Sequence, residues 1–263
     1  MGENARSPGG SLQSVSLKLK RAATHLREIK SIDATFANVQ LTMPFIRDQE
    51  RRVGYFEVKL PDPPEAVSPV VGDCLHNLRS SLDYLIWQTV RSNPPHTPGR
   101  KNMFPICRSQ TAFDDQVRRG RLDGVPQEAA AAIQSLQPFS SPGHPLTLLD
   151  DLYNADKHRD LSLTVSVASD VDVVHVRNGQ VFMRTVISGE ELRNGAVFGD
   201  MMVSLEAVPS DFKIEVVGRA AAFLAFKGRS SHLEESLPVV QTLEEILSFL
   251  ENSVVPSFWA FIR

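Results

Sequence analysis

A chain of 263 residues, 42% hydrophobic and 22% charged, has enough apolar material for a substantial core, and at about 100–200 residues per domain it should form one large or two intertwined domains. Its formal net charge of -3 excludes a long-range positive field that would gather nucleic acid without regard to sequence, so only a local basic patch could serve that role. Two cysteines, Cys74 and Cys107, are too few for a disulfide-stapled secreted fold, and no C-x-x-C spacing points to zinc.

The first ten residues, Met1 to Gly10, lack the apolar stretch of a signal peptide and read as a disordered tail. The longest apolar run, near Ala220 to Phe226, is far shorter than the ~20 residues a membrane span needs. The expected location is therefore cytoplasmic, with no membrane partner.

Helix one is predicted from near Ser11 to near Asn38, because Leu12, Val15, Leu19, Ala22, Ala23, Leu26 and Ile29 recur at helical spacing. Lys18, Arg21 and Arg27 lie off that stripe and read as a solvated face. Val53 to Leu60 is extended and ends at Pro61, which marks a connector. Helix two runs from Val67 to about Ser92, with Pro69 in its first turn and Val71, Leu75, Leu78, Leu82 and Leu85 as its stripe. The proline-rich Asn93 to Gly99 stops it.

Residues 93–125 form a long connection containing Phe104-Pro-Ile106 and a short helix at Ala112 to Arg118. A small alanine-rich helix covers Gln127 to Leu136, and helix three covers Leu146 to Arg159. The pattern then changes to period two, giving strands at Leu161–Ala168, Val171–Arg177, Val181–Ile187, Met201–Val208 and Phe212–Phe226. Asn178-Gly179 favours a type I′ hairpin between two of these strands. Helix four runs from Ser236 to Phe261, with Pro238 in its first turn and Pro256 interrupting its end.

The resulting fold class is α+β. Residues 11–160 supply the first part of a helical bundle, 161–228 an inserted antiparallel β-meander, and 229–263 the closing helix.

Two segments carry the chemical information. On a helical wheel of about 100° per residue, His76, Arg79 and Asp83 fall within about 60° of one another, beside the leucine stripe of helix two. Gly72 lies on the same line, and Arg79 and Asp83 are spaced to pair along the helix. In helix three, Asp156 and Arg159 point into the apolar face, whereas Asn154 and His158 point sideways with Asp151. Unpaired ions in an apolar seam cost several kcal/mol each, at order of magnitude, so the two helices should meet and neutralise one another. The expected cluster is His76, Arg79, Asp83, Asn154, Asp156, Lys157, His158 and Arg159. It serves either to fix packing or to bind a ligand.

Leu75-His-Asn-Leu-Arg-Ser-Ser-Leu-Asp83, Phe104-Pro-Ile106 and Asn154-Ala-Asp-Lys-His-Arg159 resemble the LHNLRSxLD, FPI and DKHR segments of a set of uncharacterised bacterial proteins. The helical part is also distantly similar to HEPN-type bundles of toxin–antitoxin and phage-defence systems. That resemblance implies a four-helix bundle and, in many of its members, a metal-independent ribonuclease with an R-x4-6-H motif. His76, Arg79 and His158 would then be the catalytic candidates. Asn154 stands nearest to where that motif would put an arginine before His158, and Arg91 to His96 has the spacing but straddles a proline-rich helix end.

Other chemistry has weaker support. Asp150, Asp151, Asp156, His158 and His76 could be imagined around a metal, but no HExxH or Glu-x-x-His pattern exists, so no metal and no cofactor are expected. Ser80 and Ser81 adjoin His76 without a nucleophile-elbow motif. His96, His144, His175 and His232 fall in loops or strands and read as solvated or structural. The expected activity is that of a binding or interaction module, with a protein, an RNA or a second copy as partner. The alternative is a phosphodiester-directed hydrolase.

Overall fold

The computed structural model describes residues 11–139, 143–158, 161–167, 170–177, 180–187, 194–197, 203–207, 215–227 and 237–262. The chain is α+β, with six α-helices among the described residues and antiparallel sheets. It divides into two compact units. One takes Met1–Ile29, Ser68–Leu161 and Gln241–Arg263, and the other Lys30–Val67 and Ser162–Val240. Among the described residues no helix is long and apolar enough to cross a membrane.

The first unit is helical. It holds most of α1 (Gln13–Asp33) and α2 (Val67–Arg91), together with α3 (Gln110–Arg118), α4 (Gln127–Ser135), α5 (Pro145–His158) and most of α6 (Val239–Phe249). The 3.6-residue period does its work in α2: Val71, Leu75, Leu78, Leu82 and Leu85 are all buried, as are Val15, Leu19, Ala22, Leu26 and Ile29 of α1. Where these two helices meet, the Cys74 thiol donates to the Ala22 carbonyl at 3.5 Å and the Gln88 amide donates to Ser14 Oγ at 3.2 Å. Ser109 caps α3 by accepting the N–H of Ala112. The end of α6 is interrupted, as Pro256 demands. Leu250–Val254 widens into a π-type turn, and Pro256–Phe258 tightens into a 3-10 turn.

The second unit holds β1 (Val39–Asp48), β2 (Val53–Phe56), β3 (Leu163–Val167), β4 (Val171–Arg177), β5 (Gln180–Ile187), β6 (Val203–Ser204), β7 (Glu215–Ala220), β8 (Ala222–Phe226) and β9 (Leu237–Pro238). Six strands form one sheet in the order β5-β4-β7-β1-β2-β6, and three form another in the order β3-β8-β9.

Several expectations need correction. The sheet is not a plain meander placed after the third predicted helix, because β1 and β2 come from the segment between α1 and α2, and β1 lies between β7 and β2. Helix one stops at Asp33 instead of Asn38. Asp33 Oδ1 accepts the Leu224 N–H at 2.6 Å, Ala34–Phe36 tightens into a 3-10 turn, and Val39, Leu41 and Met43 then alternate into the core. The supposed connector at Val53 is strand β2, with Phe56 opposite Phe45. The single long strand expected at Phe212–Phe226 is two, β7 and β8, which belong to different sheets. Of the strand expected at Met201–Val208, Met201, Met202 and Val208 lie outside the described residues; among the others Val203–Ser204 pairs with β2, and Leu205–Ala207 turns into a 3-10 helix. Leu237–Pro238 pairs with β8, so Pro238 precedes α6. Asn178 and Gly179 lie outside the described residues. The strands they join are antiparallel, with Arg177 opposite Gln180.

Candidate functional site

The α2–α5 seam belongs to the helical unit. Arg79 sits one turn before Asp83 because both occupy the flank of the leucine stripe. Its side chain is 11% exposed, and its Nη1 donates to Asp83 Oδ1 at 2.8 Å. Its Nη2 donates to the carbonyl of Phe104 at 2.9 Å, while the Phe104 N–H donates to the same Asp83 Oδ1 at 3.0 Å. The pair thus holds Phe104 by its own N–H and C=O. The Phe104 ring is fully buried. The next residues are fastened by Gln137, whose Nε2 donates to the Pro105 carbonyl at 3.0 Å and whose Oε1 accepts the Cys107 N–H at 2.8 Å. A segment without periodicity is fixed in this way by side chains that satisfy its backbone.

Asp150 of α5 faces this corner. Burial pushes its carboxyl up from the ordinary range. The Arg79 guanidinium opposes that, Asp151 reinforces it, and Arg108 and a hydrogen bond from Asn154 oppose it again. Arg108 and Asp151 form an ion pair alongside.

The second half of the seam, at Gly72, is about two turns nearer the start of α2 than Arg79. Gly72 has no side chain, and the Asp156 carboxyl occupies the space: a β-carbon on Gly72 would stand 2.6 Å from Asp156 Oδ1. Burial raises the Asp156 pKa, Asp73 raises it further, and His76 lowers it. His76 itself is exposed. Its ring centre lies 6.2 Å from that of Tyr153, and its Nε2 shares a hydrogen bond with Ser80 Oγ at 3.3 Å.

The helices therefore touch as expected, and Arg79 pairs with Asp83 as their spacing predicts, but the two acids of α5 face different partners. Arg79 engages Asp83 and the field of Asp150, whereas Asp156 lies near His76, because the two acids are six residues apart and face different turns of α2. Asn154 and Lys157 are exposed on α5. His158 is the last residue of α5, but its side chain lies outside the described residues, as does all of Arg159.

Comparison with protein-family models, curated proteins and solved structures returns no match.

Sequence reasoning left out Arg108, Asp73, Asp150 and Asp151 from the cluster. The adjacent acids at 150 and 151, four and three residues before Asn154, were the available signal. Among the described residues no group of three or more His, Cys, Asp or Glu side chains could hold a metal ion. Ser81 is buried and donates to the Leu78 carbonyl at 2.7 Å, which leaves the half-buried Ser80 as the hydroxyl beside His76. His144 is structural: its Nδ1 accepts the Leu146 N–H at 3.2 Å, its ring packs edge-on to Phe249, and burial lowers its pKa. His175 is buried in β4, and burial lowers its pKa too. His232 lies outside the described residues.

Proposed function

We propose that the chain is a cytoplasmic binding module whose helical unit is a HEPN-like bundle serving a toxin or phage-defence system. The α2–α5 cluster supports the recognition surface and performs no chemistry. One observation carries this reading: the largely buried Arg79 guanidinium is ion-paired with Asp83 and braces the Phe104 carbonyl. A ribonuclease arginine must meet a scissile phosphate, whereas the Arg79 side chain is only 11% exposed and its charge is already paired with Asp83.

The contact surface is the outer row of α2. His76, Ser80, Tyr84 and Trp87 lie within about 80° on the wheel, and Tyr84 and Trp87 are 44% and 43% exposed. Large aromatics on a helix fixed from behind are the residue types that anchor protein partners. Asn154 and Lys157 of α5 add polar groups.

Two measurements test the reading. Purified protein and an Arg79→Ala, His76→Ala variant are incubated with total RNA, and identical fragment patterns are expected. Wild-type-specific cleavage would return the hydrolase with His76, Arg79 and His158 as its candidates. A photo-crosslinker placed at Trp87 in the native host should give a discrete protein adduct that the exposed position Glu28 of α1 does not. Equal labelling at both positions would remove the surface.

A further inference from the structure

We propose that the helical unit carries a second site, unrelated to the α2–α5 seam, for a small phosphate monoester that bears neighbouring hydroxyl groups. The site is a cavity of about 240 Å³ between the loop that follows α2 and the loop that follows α3. Its walls include His96, Arg100, Lys101, Asn102, Asp123 and Gly124.

The cavity is built, not incidental. Asn102 ties the two loops: its Nδ2 donates to the Asp123 carbonyl at 2.9 Å and to the Arg121 carbonyl at 3.4 Å, and its Oδ1 accepts the Gly99 N–H at 2.7 Å. The Asn102 N–H donates back to the Gly99 carbonyl at 3.0 Å, closing a turn with Arg100 and Lys101 at its two central positions. Asn93 adds a third tie, donating to the Gly124 carbonyl at 3.1 Å. Two glycines permit the close approach. Gly124, at φ +78°, brings its backbone so near that a β-carbon would stand 2.9 Å from His96 Cβ, and Gly120, at φ +82°, leaves the Asp123 carboxyl lying where its own β-carbon would be.

The chemistry of the walls selects the ligand. Arg100 and Lys101 are exposed, and among the described residues neither side chain has a hydrogen-bond or ion-pair partner. In a chain of formal charge -3, two cations on one turn at the lip of a cavity, without a partner among the described residues, form a local anion site. A guanidinium matches two phosphate oxygens and an ammonium supplies a point charge. The one carboxylate, Asp123, would repel a second anion, but it accepts hydrogen bonds from hydroxyls. The complementary ligand therefore has a phosphate at one end and a diol at the other, and the cavity has room for a single sugar phosphate.

Isothermal titration of the full-length protein with ribose 5-phosphate, ribose and inorganic phosphate tests this. Ribose 5-phosphate should bind, inorganic phosphate should bind more weakly, and ribose should not bind. Arg100→Ala should weaken the sugar phosphate about tenfold, since it removes one charge-assisted contact. Both this residue and Lys101 are exposed, so circular dichroism should show each variant folded. Asp123→Asn should narrow the gap between ribose 5-phosphate and phosphate. Trp87→Ala, on the surface proposed for partners, should bind as wild type. The proposal is overturned if ribose 5-phosphate gives no heat at millimolar concentration, if the Arg100→Ala, Lys101→Ala double variant binds it unchanged, or if inorganic phosphate binds as tightly.

Discussion

The Asp156 carboxyl fills the place of the missing side chain at Gly72, so that a β-carbon there would lie 2.6 Å from Oδ1 and 3.0 Å from Cγ. Alanine within a helix is ordinarily worth ~1 kcal/mol over glycine. Here that gain meets an overpacking cost of about 1–3 kcal/mol, because a short, half-buried carboxyl has little room to retreat. Gly72→Ala should therefore destabilise the wild-type chain and stabilise an Asp156→Ala chain. Chemical denaturation of the four proteins of that cycle checks it, and the idea fails if Gly72→Ala has the same sign in both backgrounds.

Asp156 also predicts a pH dependence. Burial and Asp73 raise its folded pKa, and His76 only partly offsets them. The folded state thus holds this proton more tightly than the unfolded chain does. The group favours folding in acid, and that contribution is lost as pH rises through the raised pKa. Asp156→Asn should be more stable relative to wild type at pH 7 than at pH 4. Thermal melts at the two pH values decide, and a larger advantage in acid would reverse the assignment.

Arg79→Ala leaves Asp83 and the Phe104 carbonyl without their partner and removes the cation that steadies Asp150. Breaking a fully buried pair costs about 3–5 kcal/mol. With Asp83 a third exposed, about 2–3 kcal/mol is expected, measured by urea unfolding. Without Arg79 the Asp150 pKa rises further, so the deficit should grow from acid to neutral pH. Arg79→Lys should recover little, since one ammonium cannot span both acceptors. Full recovery by lysine would show that charge alone matters.

Helical periodicity made α2 legible from its leucines, and the cost of Asp156 on an apolar face pointed rightly to contact with α2. The wheel gives an angle but no depth, so it could not tell that Asp156 meets Gly72 while Asp150 lies in the field of Arg79. The second partner of Arg79, beside the predicted Asp83, was invisible for another reason. It is a backbone carbonyl, and a carbonyl leaves no residue-type signature. Strand β1 was lost because Ile32 and Phe36 prolong the apolar pattern of α1 to its edge, while Pro44 and the charged Arg47 and Asp48 interrupt the alternation begun by Val39, Leu41 and Met43. The register that makes it an interior strand, Met43 opposite Val216, is non-local.

Neither cysteine should react in the native state. Burial pushes the Cys74 thiol up to about 12, and Cys107 is raised by burial and then by Asp150. At pH 8 the thiolate fraction of Cys74 is about one part in ten thousand. Iodoacetamide labelling followed by mass spectrometry should show both residues unmodified until denaturant is added. Rapid native labelling at either position would contradict the packing described here.

Ser166 of β3 offers a test in the sheet unit. Its hydroxyl is buried, and among the described residues it has no hydrogen-bond partner. Its strand neighbours are apolar: Val165 and Val167 flank it and Phe223 stands opposite. A hydroxyl taken from water without a new partner costs about 1–3 kcal/mol, whereas a methyl group of nearly the same size costs nothing to dehydrate. Ser166→Ala should therefore raise stability by about 1 kcal/mol, since the unfolded chain gives back part of the difference. Urea titration of the two proteins measures this. A loss of stability would mean that the hydroxyl is satisfied after all, and Ser166→Cys, which keeps a weak donor, should then fall between them.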